Sequence, residues 1–145
     1  MRKAILFAVI ILTFWAGAVS SISFMEAWIK FQAPGVTLPI GLGIGMKVFR
    51  ALNFIEWALL VAYSAILVLS FRKLSLVVKS LSIVLMLVLL VQTFVLLPAL
   101  SERALMIIDG KQVDDSLVHL YYVILEVVKV TSLIVLSVKW GRRQA

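Results

Sequence analysis

Four long apolar runs dominate this sequence and decide which folds are open to it. They extend over about residues 4–25, 52–71, 81–100 and 117–138. A helix of about 20 apolar residues crosses the roughly 30 Å hydrocarbon layer of a membrane, and each run reaches that length. The runs lack the alternation of barrel strands, and a backbone in lipid must satisfy its own hydrogen bonds. The sequence therefore predicts an all-α membrane protein, a four-transmembrane-helix bundle, with a single integral membrane domain over residues 1–145.

Composition excludes several other classes of protein. Of the residues, 63% are hydrophobic and 14% are charged, whereas a soluble domain is about half apolar and about a quarter charged. The chain has no cysteine and a single histidine, His119. Disulfides, thiolate nucleophiles, iron–sulfur clusters and cysteine zinc sites are therefore excluded. We expect no metal and no cofactor, and no catalytic motif singles out a catalytic residue.

The placement of charge predicts the orientation of the chain. The termini and the middle loop carry eight bases and no acid: Arg2, Lys3, Arg72, Lys73, Lys79, Lys139, Arg142 and Arg143. The positive-inside rule then puts both termini in the cytoplasm, in a multi-pass protein of the plasma (inner) membrane. Because the bases are divided between the flanks of the apolar runs, we expect membrane lipids as partners and no nucleic acid.

The first apolar run also resembles a signal peptide. Arg2 and Lys3 precede it, and small residues such as Ala18 and Ser20 follow the apolar stretch. The run continues through Met25, which is long for a signal. We therefore expect an uncleaved first span.

A glycine- and proline-rich segment over about residues 27–46 follows the first span. Pro34 and Pro39 predict a break in the helix, and a new helix is expected to begin near Met46. Because the segment is apolar, we expect it to be partly re-entrant and to fold back onto the outer side of the bundle. Two interpretations stay open. In one, helix-start N–H groups together with Lys47 and Arg50 bind an anion. In the other, the glycines allow close packing while these bases meet lipid headgroups or Glu26.

The fourth span carries ionisable residues at helical spacing. His119, Tyr122, Glu126 and Lys129 lie three, four and three residues apart, which places them on one face of a helix. Glu126 and Lys129 can form an ion pair along the helix. Such residues in a span usually face the bundle interior or a cavity, so a proton or ligand site is the alternative.

Polar residues of all four spans gather toward the predicted outer side. Asn53 and Glu56 lie in the second span, with Glu56 expected about one turn below the outer surface. The inner half of each span reads as almost purely apolar. This asymmetry predicts a polar cavity in the outer half above a sealed hydrophobic floor. The predicted ligand-binding residues are Glu26, Lys47, Arg50, Asn53, Glu56, His119, Tyr122, Glu126 and Lys129.

Three functions fit these features. The first is binding or transport of a small amphipathic or anionic molecule or a lipid from the outer side, with a homodimer expected because four spans are few for a transporter. The second is a membrane-embedded enzyme acting on a lipid, isoprenoid or quinone-like substrate, with Glu56, Glu126 and His119 as acid–base groups. The third is an accessory subunit of a larger membrane complex, whose helices would pair with the charges inside the spans.

Overall fold

Four long helices build the protein. The computed structural model describes residues 2–143, except for the side chain of Lys73. Helix α1 is Arg2–Gln32, α2 is Leu38–Ser70, α3 is Leu76–Ile108 and α4 is Val118–Gly141. Each is long and apolar enough to cross a membrane, and residues 2–143 contain no strand. The prediction of an all-α protein with four helices of membrane-spanning length is confirmed.

The helices are longer than the apolar runs that predicted them. Helices α1, α2 and α3 have 31, 33 and 33 residues, so each is roughly 45–50 Å long at 1.5 Å per residue. Helix α1 continues past Glu26, the first acidic residue of the chain. Glu26 and Lys30 lie one turn apart in α1, and their side chains form an ion pair at 3.2 Å. Pro98 likewise lies inside the α3 rod. Glu26 marked the expected end of the first span, and α1 passes through it, whereas Pro98 lay inside the predicted third span.

The glycine- and proline-rich segment is mostly helical. Helix α2 begins at Leu38, and Pro39 occupies its first turn. Backbone N–H groups in the first turn have no partner within the helix, so proline costs no hydrogen bond there. The expected helix start near Met46 is therefore wrong. Only residues 33–37 are irregular between α1 and α2. A fold-back of this stretch into the membrane stays a prediction, because the fold of the chain alone does not set its depth in a bilayer.

Neighbouring helices run antiparallel. In α1 and α4, Thr13 bonds to Ser137 and Ser23 bonds to Glu126, so the numbering rises in one helix as it falls in the other. The pairs Asn53–Thr93 and Tyr63–Ser82 give the same result for α2 and α3. Residues 33–37 and 109–117 therefore lie at one end of the bundle, here called the distal end. Arg2, residues 71–75 and Gly141 lie at the other, the proximal end.

Two helices widen into π-helical turns near mid-length. These are Ser20–Glu26 in α1 and Gln92–Leu96 in α3. A π turn adds a residue to the helical repeat and re-aims the side chains around it. In α3 the turn comes just before Pro98, whose ring cannot sit against the carbonyl four residues earlier in a regular helix. Both turns adjoin the buried polar residues described below.

Apolar side chains fill the bundle and also cover its outside. Trp15, Leu12 and Leu133 are fully buried at the centre of the packing. Leu69 is 87% exposed and Phe54 78% exposed. An extensive exposed apolar surface is typical of helices solvated by lipid rather than water, and it agrees with four membrane-spanning helices.

Candidate ligand cavity and buried charge cluster

A cavity of about 860 Å³ extends from the distal end toward the middle of the bundle. All four helices line it. Its size falls in the range of about 300–1,000 Å³ that is typical of small-molecule sites. The residues that give its walls their character are aromatic, small or basic: Phe24, Phe31, Phe49, Gly41, Gly45, Lys30, Arg50 and His119.

The charged groups of this lining are basic. Lys30 and Arg50 line the cavity, and no carboxylate appears among its described lining residues. The Lys30 ammonium pairs with Glu26 and lies 5.5 Å from the Phe31 ring centre and 5.8 Å from that of Phe49. Arg50 makes no hydrogen bond or ion pair with another residue of the described 2–143. The cavity therefore presents positive charge on mostly apolar walls.

Glycines of α2 let the end of α1 approach closely. A Cβ atom on Gly45 would lie 2.9 Å from the Lys30 Nζ, and one on Gly41 would overlap the Phe31 ring. Gly43, between them, faces open space. Glycines four apart thus form the contact face, as small residues do at close helix crossings in membranes. This packing is one of the two interpretations raised by the glycine pattern.

The other interpretation, an anion site at the helix start, does not fit the position of α2. Because α2 begins at Leu38, Lys47 and Arg50 lie well beyond its first turns. The dipole effect is confined to the first turn. Lys47 is exposed and does not line the cavity, whereas Arg50 does. The helix-start N–H groups of α2 therefore lie about two turns or more from Lys47 and Arg50.

A cluster of charges is buried at mid-length of the helices. The Lys129 Nζ lies 2.5 Å from a Glu56 carboxylate oxygen and 3.0 Å from one of Glu126. The three side chains are 0–1% exposed. The Trp15 indole N–H donates to the same Glu56 oxygen at 2.9 Å. Glu56 was expected one turn below the outer surface, but it lies level with Glu126, because α2 begins 14 residues before the predicted span.

The second carboxylate of the cluster is bonded from two further helices. The Gln92 side-chain amide donates to Glu126 at 2.8 Å, and the Ser23 hydroxyl donates to its other oxygen at 3.2 Å. The Gln92 Oε1 is buried and has no hydrogen-bond partner. Every helix thus contributes to the cluster: Trp15 and Ser23 from α1, Glu56 from α2, Gln92 from α3, and Glu126 and Lys129 from α4.

A thin wall separates the cluster from the cavity. Ser23 belongs to both, since it lines the cavity and bonds to Glu126. Tyr122 is buried one turn before Glu126, and its ring packs edge-on against Phe49 at 5.6 Å between centres. Phe49 in turn lines the cavity. Ser23 is therefore a direct polar link between the two sites.

A hydroxyl of α3 organises the deep part of the cavity. The Thr93 Oγ1 accepts from the Asn53 side-chain amide at 2.8 Å and from the Trp57 indole at 3.0 Å. It donates to the Leu89 carbonyl at 2.7 Å. Asn53 and Thr93 line the cavity, so their bonding holds α2 and α3 together at its floor.

Seven of the nine predicted ligand-binding residues lie at or beside these two sites. Arg50, Asn53 and His119 line the cavity. Glu56, Glu126 and Lys129 form the buried cluster, with Tyr122 buried beside it. Glu26 pairs with Lys30, and Lys47 is exposed outside both sites.

Several participating residues were not among those predicted, among them Lys30, Ser23, Gln92, Trp15 and Thr93. Lys30 had a signal, because it follows Glu26 by one helical turn and faces the same side. Ser23 and Gln92 were visible as polar residues of apolar spans. Trp15 gave no signal, because a tryptophan in a span usually packs, and its indole bond depends on where α2 places Glu56.

The proximal half, which the sequence predicts to be almost purely apolar, also contains a buried polar network. There the Tyr63 and Ser82 hydroxyls are 2.8 Å apart, and the Trp140 indole donates to Tyr63 at 3.1 Å. The three side chains are buried. Because single polar residues spread over three helices leave no pattern in any one span, the network was not apparent in the sequence.

Comparison of the chain with protein-family models, with curated proteins and with solved structures finds no match.

Proposed function

We propose that the protein binds an anionic amphiphile in the distal cavity, either to hold it or to transport it. The observation that carries this proposal is the combination of unbalanced positive charge and apolar walls in one cavity. An acidic headgroup would meet Lys30, Arg50 and His119. An acyl or isoprenoid chain would pack against the remaining walls.

Arg50 is the principal anion contact in this proposal. Its guanidinium has no partner within the described chain, and its planar set of donors suits a phosphate or carboxylate. Lys30 contributes less, because Glu26 already pairs with its ammonium. A ligand anion near Lys30 would compete with that carboxylate.

The charge distribution supports access from the outer side. Arg2, Arg72 and Lys139 lie at or near the proximal end, which the positive-inside rule assigns to the cytoplasm. Asp109, Asp114 and Asp115 lie at the distal end. In this orientation the cavity faces the outside or the outer leaflet of the plasma membrane.

Acid–base catalysis and an accessory role have less support from the geometry. Glu56 and Glu126 bond to Lys129 behind the cavity wall, and neither lines the cavity. His119 precedes Glu126 by seven residues, about 10 Å along the helix axis. Both buried carboxyl groups contact Lys129 of the same chain, so pairing with a partner subunit has less support.

Lipid titration followed by native mass spectrometry tests the proposal. The purified protein is mixed with dioleoyl phosphatidylglycerol or with the zwitterionic dioleoyl phosphatidylcholine. We expect the anionic lipid to bind more tightly, and Arg50→Gln to weaken its binding about tenfold, the equivalent of about 1.4 kcal/mol. Oleate and an isoprenyl phosphate, as further probes, distinguish a lipid headgroup from a free acid or a phosphate.

Lys47→Gln is the matched control. Lys47 lies on the same helix three residues before Arg50 and is exposed, but it does not line the cavity. Its replacement removes the same formal charge and should leave the affinity within about twofold, a few tenths of a kcal/mol. Equal losses in the two variants, or no preference for the anionic lipid, would contradict the proposal.

A further inference from the structure

The buried cluster contains one more acid than base. Glu56 and Glu126 share the single ammonium of Lys129, and all three side chains are almost completely buried. With both carboxyl groups ionised, the cluster would carry a net charge of −1. A net charge in a low-dielectric interior is costly, and a buried acid removes it by taking up a proton.

Within residues 2–143, the Lys73 side chain apart, the surrounding helices supply no second cation. Helix α1 presents the Trp15 indole and the Ser23 hydroxyl, and α3 presents the Gln92 amide. The ionisable groups facing the two carboxyls are Lys129 and Tyr122 of α4, apart from the carboxyls themselves. These neighbours donate hydrogen bonds or carry a single positive charge, so they do not neutralise the second carboxylate.

Gln92 supplies a neutral hydrogen bond to the cluster and leaves one polar atom unsatisfied. Its Nε2 donates to Glu126, but its Oε1 is fully buried without a partner. A buried acceptor left unsatisfied costs free energy. The Gln92 amide is neutral, so its hydrogen bond to Glu126 does not remove the excess charge of the cluster.

We propose that the Glu56–Lys129–Glu126 cluster binds one exchangeable proton, shared between the two carboxyl groups and exchanged with the distal cavity through Ser23. The proton comes from water in the cavity and forms an O–H bond on one carboxyl group. The other carboxylate and Lys129 remain as a neutral ion pair. The inference goes beyond the proposed function, because it needs no ligand in the cavity.

Infrared spectroscopy of the purified protein in lipid tests this proposal without a ligand. A protonated carboxyl group has a carbonyl stretch separate from that of a carboxylate. The wild-type protein should show one such band at neutral pH. Glu56→Gln and Glu126→Gln should each abolish it, because either substitution leaves one carboxylate paired with one ammonium.

Glu102→Gln serves as the control, since Glu102 is exposed and outside the cluster. It should leave the band unchanged. Each cluster variant keeps a neutral ion pair and is therefore expected to fold, which helical circular dichroism checks. Absence of the band in the wild-type protein at neutral pH would overturn the proposal, as would its persistence in both cluster variants.

Transfer to deuterated water tests the route through Ser23. The wild-type band should shift as the proton is replaced by deuterium. Ser23→Ala should slow that shift, because it removes the hydroxyl that joins Glu126 to the cavity. Ser21→Ala, an exposed position of the same π-helical turn, should not. Equal exchange rates in wild type and Ser23→Ala would overturn the assigned route and leave the proton site to the band test.

Discussion

The cluster at mid-length and the network in the proximal half bury polar groups in different ways. The proximal network of Tyr63, Ser82 and Trp140 is neutral, and its members bond to one another. The mid-length cluster holds three ionisable groups, adjoins two π-helical turns and borders a cavity. Neutral donors and acceptors can be satisfied in a tight core, whereas an unequal set of charges requires further partners. We therefore expect a structural role for the first region and the proposed proton binding in the second.

Removing the Lys129 ammonium from the mid-length cluster should have the largest effect on stability of the substitutions considered for the two regions. Lys129→Met leaves two carboxyl groups buried without their cation, and we expect a loss of about 3–5 kcal/mol in unfolding free energy. Denaturant unfolding in detergent measures it. Lys111→Met, at an exposed position, should change stability by less than about 0.5 kcal/mol. Equal free energies of unfolding for Lys129→Met and Lys111→Met would contradict the contrast between the charged cluster and the neutral proximal network.

The proximal network should show an intermediate, purely structural effect. Tyr63→Phe removes the oxygen to which Trp140 donates, while Ser82 keeps its bond to the Val78 carbonyl at 2.7 Å. An unsatisfied buried donor costs about 1–3 kcal/mol. We expect that loss in denaturant unfolding with no change in anionic lipid affinity.

Tyr121→Phe provides the comparison for the proximal network, because Tyr121 is exposed. Its stability should match that of the wild type. A weaker lipid affinity in Tyr63→Phe would mean that the proximal half takes part in binding, and the division of roles would then fail.

The glycine contact should give the smallest effect, confined to the cavity. Gly45→Ala places a methyl group against the flexible end of Lys30 and displaces its ammonium. We expect an affinity for phosphatidylglycerol lowered by about threefold, equivalent to less than 1 kcal/mol. Native mass spectrometry detects such a change.

Gly43→Ala is the partner variant, because its methyl group meets open space. Both substitutions favour the helix by up to about 1 kcal/mol. Only Gly45→Ala should alter binding. If Gly43→Ala lowered the affinity equally, helix stiffness rather than the position of Lys30 would be responsible.

The elements that depend on one segment alone were predictable from the sequence. The four spans follow from apolar length, and the Glu126–Lys129 pair follows from a spacing of three residues. The helix ends were not predictable from breakers alone. Pro39 is tolerated in a first turn, and α3 continues past Glu102 and Arg103 to Ile108.

The elements that depend on how helices rotate against one another could not be predicted. Glu56 was a candidate site residue, but its bond to Lys129 requires α2 and α4 to face each other at that level. The bond from Trp15 to Glu56 has the same requirement between α1 and α2. Spacing within one helix carries no information about this rotation. The sequence therefore predicted one polar site, whereas the structure has a cavity and a separate charge cluster.

Photo-crosslinking with an anionic lipid tests the central claim, the binding of an anionic amphiphile in the distal cavity, most directly. A phosphatidylglycerol with a photoreactive group in one acyl chain is bound to the protein, irradiated and mapped by peptide mass spectrometry. The account predicts adducts within residues 23–31, 41–53 and 93–104, reduced in Arg50→Gln. Adducts spread over the exposed apolar surface, including Leu69 and Leu76, and unchanged by that substitution, would contradict it.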